Sequence, residues 1–164
     1  MTRPAAAIEV RALRAGDRDA WQPLWEGYLA FYRADVPADV TERTFARLCE
    51  GSEGTFGLVA VDAGDTPIGL THLLYHPSTW TTAGYCYLED LFVDPGHRGA
   101  GVARALIEAA AAHAAARGVT RLYWTTQQFN APARSLYDTV GQLTSFIVYE
   151  RDLDADRQRD LDAG

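Results

Sequence analysis

The sequence predicts a single α/β domain with a mixed, mostly antiparallel β-sheet, and two patterns point to this fold class. Apolar runs over residues 55–62 and 68–75 flank the turn sequence AGDTP, and together they predict an antiparallel hairpin. Residues 85–126 then give a strand, a long helix and another strand, the order of a βαβ unit whose strands pair in parallel. A chain of 164 residues is long enough to bury one substantial core.

The N-terminal part of the chain predicts one strand and two helices ahead of the hairpin. Residues 8–13 alternate between polar and apolar side chains, as a strand does. Asp17 is suited to cap a helix over residues 18–34, and a second helix is predicted over residues 39–50.

The C-terminal part predicts a helix, a strand and a polar tail. Asn130 is suited to cap the helix, and Pro132 fits its first turn. Residues 144–151 predict the last strand of the sheet. Residues 153–164 are polar and predict a frayed tail, so the folded domain is assigned to residues 1–152.

Composition argues against several classes of protein. No apolar run approaches the roughly 20 residues that span a bilayer, and the N-terminus lacks the apolar stretch of a signal peptide. A net charge of −7 argues against nucleic-acid binding, which needs a basic surface. Cys49 and Cys86 lack metal-ligand spacing, and His72 and His76 lack acidic or cysteine partners nearby. We therefore expect no metal site, no membrane contact and a cytoplasmic location with reduced thiols.

The most informative stretch lies in the βαβ unit. A strand over residues 85–93 ends at the sequence DPG, and RGAGVA then opens a helix. The first N–H groups of a helix attract anions, Gly99 and Gly101 allow close approach, and Arg98 adds positive charge. The loop indicates a pyrophosphate site or, alternatively, an ordinary capped helix. It is not a P-loop, since the chain has no lysine, and Arg104 replaces the third glycine of GxGxxG.

Two signatures carry a resemblance to a known family. RGAGVA fits the Q/R-x-x-G-x-G/A signature of the GCN5-related N-acetyltransferases, and NAPARSLYDTVG resembles their second signature through Asn130, Ala133, Tyr137 and Gly141. The resemblance covers essentially residues 8–152 and is strongest to the branch with yeast histone and polyamine acetyltransferases. It implies an acyl-CoA N-acyltransferase fold with a splayed central pair of parallel strands, and transfer of an acetyl group from acetyl-CoA to an amine.

The resemblance also implies where acetyl-CoA binds. The loop holds the pyrophosphate of the coenzyme, and backbone N–H groups of the preceding strand bond the pantetheine and stabilise the oxyanion. The asparagine of the second signature bonds the pantetheine or phosphate arm. The expected coenzyme-binding residues are Leu91, Phe92, Val93, Arg98, Gly99, Ala100, Gly101, Val102, Ala103, Arg104 and Asn130.

Two residues are candidates for proton transfer. Adjacent strand residues face opposite sides, so one of Glu89 and Asp90 should face the cleft, unless the pair makes an edge salt bridge or a cap. The resemblance to polyamine-type enzymes favours Glu89 as the general base and leaves Asp90 a structural role. Tyr137 is the candidate general acid, because a phenol is protonated at neutral pH, although a buried structural tyrosine is the alternative.

The acceptor side of the cleft is less defined. Trp25, Tyr28 and Tyr32 belong to an aromatic stripe on the first helix, which is either core packing or a wall that binds the amine by cation–π contact. The resemblance implies a polyamine, small amine, amino acid or protein lysine as acceptor, and a homodimer or larger assembly. The alternatives are an antibiotic or xenobiotic acetyltransferase and a non-catalytic coenzyme-A-binding module. Phe146 follows Gly141 later than is usual in the family, which leaves the register of the last strand open.

Overall fold

The computed structural model describes residues 8–154, so most of the predicted polar tail, residues 155–164, lies outside the described part. Five strands are present in this part of the chain: β1 (Glu9–Ala12), β2 (Thr55–Val61), β3 (Pro67–His76), β4 (Tyr85–Val93) and β5 (Leu122–Tyr123). Four α-helices accompany them: α1 (Arg18–Tyr32), α2 (Ala38–Glu50), α3 (Val102–Ala116) and α4 (Ala131–Val140). No helix among the described residues is long and apolar enough to cross a membrane.

The sheet has the predicted mixed topology. Its strands lie in the order β1-β2-β3-β4-β5, and the first four pair antiparallel with their neighbours. Strands β4 and β5 pair in parallel, with α3 as the crossover between them. The α/β fold class and the hairpin between β2 and β3 are therefore confirmed.

Helices pack on both faces of the sheet because β2 and β3 carry apolar side chains on both faces. Val59 and Val61 point to the layer formed by α1 and α2, whereas Leu58 and Ala60 point to α3. On the first face, Trp21 is fully buried and stands at the centre of the cluster. Helix α1 also approaches β4 closely, since a Cβ at Gly27 would lie 2.6 Å from the ring of Phe92.

Asp17 occupies the N-cap position of α1, as the sequence predicts, but it does not cap the helix through its side chain. Its side chain makes no capping bond to α1, and it accepts hydrogen bonds from Arg11 at 2.8 and 2.9 Å. The backbone N–H of Arg14 donates to the same carboxylate at 2.8 Å. The nearby guanidinium of Arg11 competes successfully for this buried carboxylate, because a charge-assisted bidentate pair is stronger than a neutral cap.

The predicted last strand is wrong. Residues 144–151 form no strand, although their sequence is rich in strand-favouring side chains. Strand β5 has only two residues, so it offers almost no ladder to which another strand could bond. We call residues 143–149 the C-terminal apolar segment; its apolar side chains are 74–89% exposed, namely Leu143, Phe146, Ile147, Val148 and Tyr149.

Candidate active site

A β-bulge in β4 shapes the centre of the site. Asp90 lies opposite His72 on β3, and Leu88 lies opposite Leu73, so Glu89 is an extra residue without a partner across the ladder. Leu88 and Leu91 both pack against the α3 side, although they are three positions apart. The two residues between them therefore face the α1 side, which corrects the expectation that Glu89 and Asp90 face opposite sides.

Glu89 is an exposed side chain at the bulge. Desolvation by its surroundings and the charge of the adjacent Asp90 raise the pKa of Glu89, and His72 opposes this shift. A carboxylate with a raised pKa accepts a proton more readily near neutral pH. The environment of Glu89 is therefore suited to general base catalysis.

Asp90 is buried beside Glu89 and tied to β3. Nδ1 of His72 lies 2.8 Å from Oδ2 of Asp90, and the Thr71 hydroxyl donates to the Asp90 carbonyl at 2.9 Å. Burial and the charge of Asp90 raise the pKa of Tyr28 on α1. The predicted structural role of Asp90 agrees with these contacts.

The parallel strands β4 and β5 separate beside the bulge. They pair only at Cys86 with Leu122 and at Tyr87 with Tyr123. From residue 88 onward, β4 pairs with β3 on one edge, and no strand of the described chain covers its other edge. Residues 91–93, where the sequence predicts contacts with the pantetheine arm, therefore have no strand partner on this edge.

The predicted pyrophosphate loop connects β4 to α3. Gly99 and Gly101 have φ angles of +78° and +85°, a left-handed conformation that L side chains rarely adopt. A Cβ at either glycine would meet nothing within 4 Å, so the space above the loop is open. Helix α3 has no side-chain cap at Gly101, and its first N–H groups therefore point into an open space that suits an anion.

The side chains around the loop differ in what they contact. Nε of Arg98 donates to the Val93 carbonyl at 3.1 Å, and its guanidinium lies 5.4 Å from the centroid of the Phe92 ring. These contacts place the guanidinium of Arg98 at the junction between β4 and the loop. Val102 is 2% exposed and packs in the core, so only its backbone can meet a ligand. Arg104 donates to the Thr139 hydroxyl on α4 at 2.7 Å, and its coenzyme contact stays a prediction.

Tyr137 lies on α4, partly buried against the α3-side core. Its ring meets that of Trp124 edge-on, with centroids 5.6 Å apart. Burial and the nearby Tyr32 phenol raise the pKa of Tyr137, which keeps its hydroxyl protonated.

Comparison with known proteins agrees with this geometry. A profile of the acetyltransferase (GNAT) family matches residues 21–141. The chain belongs to this family. D-amino-acid N-acetyltransferase HPA3 of Saccharomyces cerevisiae is 35% identical over 146 residues, which are 88% of this chain and 90% of HPA3. Thialysine N-epsilon-acetyltransferase of Caenorhabditis elegans is 39% identical over 77 residues, which are 47% of this chain and 48% of the relative.

Solved structures show the same fold. The structure of AAC(6')-Iy in complex with the bisubstrate analogue CoA-S-monomethyl-acetylneamine has a TM-score of 0.76 at 16% identity. The alignment covers 90% of this chain and 99% of that one. The GNAT fold, with its separated parallel strand pair, is thus confirmed, and the chain is an acyl-CoA-dependent N-acetyltransferase.

Asn130 of this acetyltransferase occupies the N-cap position of α4 but makes no capping bond through its side chain. Its Nδ2 instead faces the Thr126 hydroxyl at 3.4 Å, on the segment that follows β5. The predicted helix start at Asn130 is therefore confirmed without a side-chain capping bond, and Pro132 lies in the first turn of α4 as predicted. Thr126, the hydrogen-bond partner of Asn130, follows β5. Strand β5 borders the gap where coenzyme binding is predicted.

The aromatic stripe of α1 divides into core and cleft residues. Trp25 is 7% exposed and donates to the Thr41 hydroxyl at 3.2 Å, so it packs in the core instead of lining the acceptor site. Tyr28 stacks on Trp25 with centroids 5.5 Å apart, and Tyr32 follows at 4.9 Å. Both tyrosines have raised pKa values, from burial and from the charge of Asp90. The charge of Asp90 therefore acts on both tyrosines, and that of Glu89 acts on Tyr28.

One group at the site was not anticipated from the sequence. The sequence raises His72 only as a possible metal ligand, whereas the structure places it between Trp21 and Asp90, with a hydrogen bond to each. Among residues 8–154, no group of three or more His, Cys, Asp or Glu side chains could hold a metal ion. The contact between His72 and Asp90 depends on the register in which β3 and β4 pair. No local pattern in the sequence specifies that register.

Proposed function

We propose that this acetyltransferase transfers the acetyl group of acetyl-CoA directly to a primary amine, with Glu89 as general base and Tyr137 as general acid. The observation that carries the proposal is the bulge, which presents Glu89 where β4 separates from β5. The raised pKa values of Glu89 and Tyr137 support these roles, because one group must accept a proton and the other must hold one.

The proposed reaction begins with removal of a proton from the acceptor. An alkylamine has a pKa of about 10.4 and is an ammonium ion at neutral pH, so Glu89 accepts one proton, directly or through a water. The neutral amine then attacks the thioester carbonyl. Backbone N–H groups along residues 91–93 stabilise the oxyanion that forms. As the C–S bond breaks, the departing thiolate, whose conjugate thiol has a pKa of about 8.5, takes a proton from Tyr137. The second proton that the amine nitrogen loses as the amide forms then returns Tyr137 to its phenol form.

Acetyl-CoA is proposed to lie along the gap, with its diphosphate at the start of α3. The open left-handed glycines and uncapped N–H groups support this placement, and Arg98 adds positive charge beside it. Asn130 is proposed to meet the pantetheine or phosphate arm from the other side. No metal is proposed to take part.

The proposed acceptors are polyamines, small amines, amino acids and protein lysines. The names of HPA3 and of the thialysine enzyme both describe acylation of a primary amine, and Tyr28 and Tyr32 beside Asp90 suit an ammonium group. An antibiotic acceptor is the alternative, favoured by a relative named streptothricin acetyltransferase from Streptomyces lavendulae at 30% identity. Family membership argues against a non-catalytic coenzyme-binding module.

A thiol-release screen tests this function. Purified enzyme and acetyl-CoA are incubated with polyamines, D- and L-amino acids, aminoglycosides, streptothricin and lysine peptides, and free thiol is measured. We expect thiol release with at least one class of primary amine, and mass spectrometry should show one added acetyl group on its nitrogen. Binding of acetyl-CoA without acetylation of any amine would contradict the proposal and favour the binding module.

Assembly and location are also proposals. We propose a homodimer, because the C-terminal apolar segment exposes side chains that a lone chain leaves in water. We propose a cytoplasmic location, with which the free thiols of Cys49 and Cys86 are compatible. The domain is proposed to comprise residues 1–152.

A further inference from the structure

The carboxylate of Glu89 has no side-chain anchor within the described part of the chain. None of residues 8–154 makes a hydrogen bond or an ion pair with it. Glu89 is also the extra residue of the bulge, so it has no partner across the β3–β4 ladder. The orientation of its side chain must therefore come from the backbone, and so from its buried neighbours Leu88 and Asp90.

Asp90 is held to β3 by the side chains of two consecutive residues. The Thr71 hydroxyl donates to the Asp90 carbonyl at 2.9 Å, and Nδ1 of His72 lies 2.8 Å from Oδ2 of the Asp90 carboxylate. Thr71 is fully buried, His72 is 2% exposed and Asp90 is 8% exposed, so water has little access to these bonds. A buried carbonyl or carboxylate that lost such a partner would be left unsatisfied, which makes both bonds costly to break.

The direction of the bond from His72 is determined by Trp21. The indole N–H of Trp21 can only donate, and Nε1 lies 3.1 Å from Nε2 of His72, so Nε2 is the unprotonated nitrogen of the imidazole. In the neutral ring Nδ1 then carries the hydrogen and donates to Asp90. Asp90 therefore accepts two hydrogen bonds from β3, one at its carboxylate and one at its carbonyl.

These two bonds reach Asp90 from opposite faces of the sheet. Leu73 packs on the α3 side, and the side chains of a strand alternate between faces. Thr71 therefore lies on the α3 face, whereas His72 lies on the α1 face. A residue that is bonded on one face by its side chain and on the other by its carbonyl cannot rotate about the strand axis without breaking a bond. The bulge is thus held in the orientation that presents Glu89 on the α1 face.

We propose that Thr71 and His72 are positioning residues for the general base: together they hold the bulge through Asp90 and so orient the carboxylate of Glu89 toward the acceptor amine. Neither residue touches the substrate, and both act only through the backbone that carries Glu89. The inference rests on the proposed function, because it takes Glu89 as the base of that reaction.

Thr71→Val removes the hydroxyl and keeps the shape of the side chain. Because a misplaced base takes a proton less efficiently, kcat should fall about tenfold, while the KM for acetyl-CoA stays within about twofold of wild type. Thr71→Ser keeps a hydroxyl and should restore most of kcat. Thr55→Val is the matched control, since the hydroxyl of the buried Thr55 on β2 also donates to a carbonyl, that of Ser52 at 2.8 Å. This control should lose stability without losing kcat.

A double-mutant cycle with Glu89→Gln separates positioning from a general loss of stability. Thr71→Val should lower kcat about tenfold in the wild type but less than about twofold in the Glu89→Gln background, because no base is left to orient. Equal losses in both backgrounds would overturn the inference. If Glu89→Gln itself kept the kcat of wild type, the proposed base and this inference would fail together. If Glu89→Gln were slow and Thr71→Val kept its kcat, this inference alone would fail.

Two variants of His72 separate its two hydrogen bonds. In Asn the amide nitrogen lies near the position of Nδ1 and can still donate to Asp90, whereas in Gln the amide oxygen lies near the position of Nε2 and can still accept from Trp21. Only the bond to Asp90 holds the bulge, so kcat should stay within about threefold of wild type in His72→Asn and fall about tenfold in His72→Gln. Equal losses of kcat, or the reverse order, would overturn the inference even if Thr71→Val fails to fold.

Discussion

Glu89 and Asp90 are consecutive in the chain, and the bulge in β4 turns both carboxylates to the same side of the sheet. Asp90 is held by His72 at 2.8 Å, whereas Glu89 has no ladder partner and stays exposed. Because like charges oppose each other's ionisation, this arrangement contributes to the raised pKa of Glu89. One carboxylate is thereby anchored, and the other is made a better base.

Replacing Glu89 by Gln should lower kcat by about a hundredfold or more, since a positioned general base contributes roughly 10² to 10⁴ in rate. In the wild type, kcat/KM should fall as the pH drops through the raised pKa of Glu89, because the protonated acid cannot accept a proton. The pH profile of Glu89→Gln should lose that limb and keep only the dependence set by the amine.

The matched control is Glu108→Gln, on the exposed side of α3. It removes the same charge far from the bulge and should leave kcat and the pH profile unchanged. Equal kcat values for Glu89→Gln and wild type would show that Glu89 is not the base.

Asp90→Asn should also change the pH dependence of the reaction. Removing the neighbouring charge lowers the pKa of Glu89, so the acid limb of kcat/KM should move to lower pH. The measurement is a pH profile of thiol release for both proteins with the same amine. An acid limb at the wild-type position would mean that Asp90 does not influence the catalytic carboxylate.

The sequence predicts those features of the site that neighbouring residues determine, and it misses those that depend on how distant strands pair. The sequence predicts β4 at its observed bounds and places the start of α3 directly after the loop glycines, because turn-forming residues and helical spacing are patterns of neighbouring positions. The bulge could not be predicted, since it is a mismatch in register between β3 and β4. The same holds for the His72–Asp90 pair, whose members are 18 residues apart.

Errors at the chain ends have a similar cause. Asp17 has the residue type of a helix cap, and only the fold brings Arg11 within 2.8 Å of it. Residues 144–151 have the composition of a strand, but a strand needs a partner, and the two-residue β5 is a poor one. Local propensity therefore identified candidates, and tertiary contacts decided between them.

Replacing Tyr137 by Phe should lower kcat by about a hundredfold without weakening coenzyme A binding. The ring contact with Trp124 is kept, and only the proton for the leaving thiolate is lost. Tyr75→Phe is the control, because it removes a hydroxyl that bonds His113 on the α3 side. Rates come from thiol release and affinities from calorimetry; a Tyr137→Phe enzyme with wild-type kcat would assign the acid elsewhere.

Gly101→Ala should raise the KM for acetyl-CoA about tenfold. The left-handed φ of +85° strains any L residue by about 1–2 kcal/mol, and the new methyl group enters the open space above the loop. S-acetylpantetheine lacks the diphosphate, so its KM should stay within about twofold of wild type if the loop binds that group.

Gly118→Ala is the control for strain alone. Gly118 has a φ of +78° near the other end of α3, and a Cβ there also meets nothing within 4 Å. Both variants should lose a similar amount of thermal stability. Only Gly101→Ala should raise the KM for acetyl-CoA relative to that for S-acetylpantetheine. If Gly101→Ala raised the KM for acetyl-CoA and for S-acetylpantetheine by the same factor, the loop would not bind the diphosphate.

The C-terminal apolar segment should hold two copies of the chain together. Its side chains at Phe146 and Val148 are 79% and 75% exposed, and contiguous exposed apolar surface favours association. Sedimentation of wild type should give about twice the 18.0 kDa of one chain, whereas the double variant Phe146→Asp and Val148→Asp should sediment as a monomer. Val40→Asp, at a position on α2 that is 45% exposed, should remain a dimer, because it adds charge away from the segment. A monomeric wild type at micromolar concentration would mean that the segment stays in water or is covered by another partner.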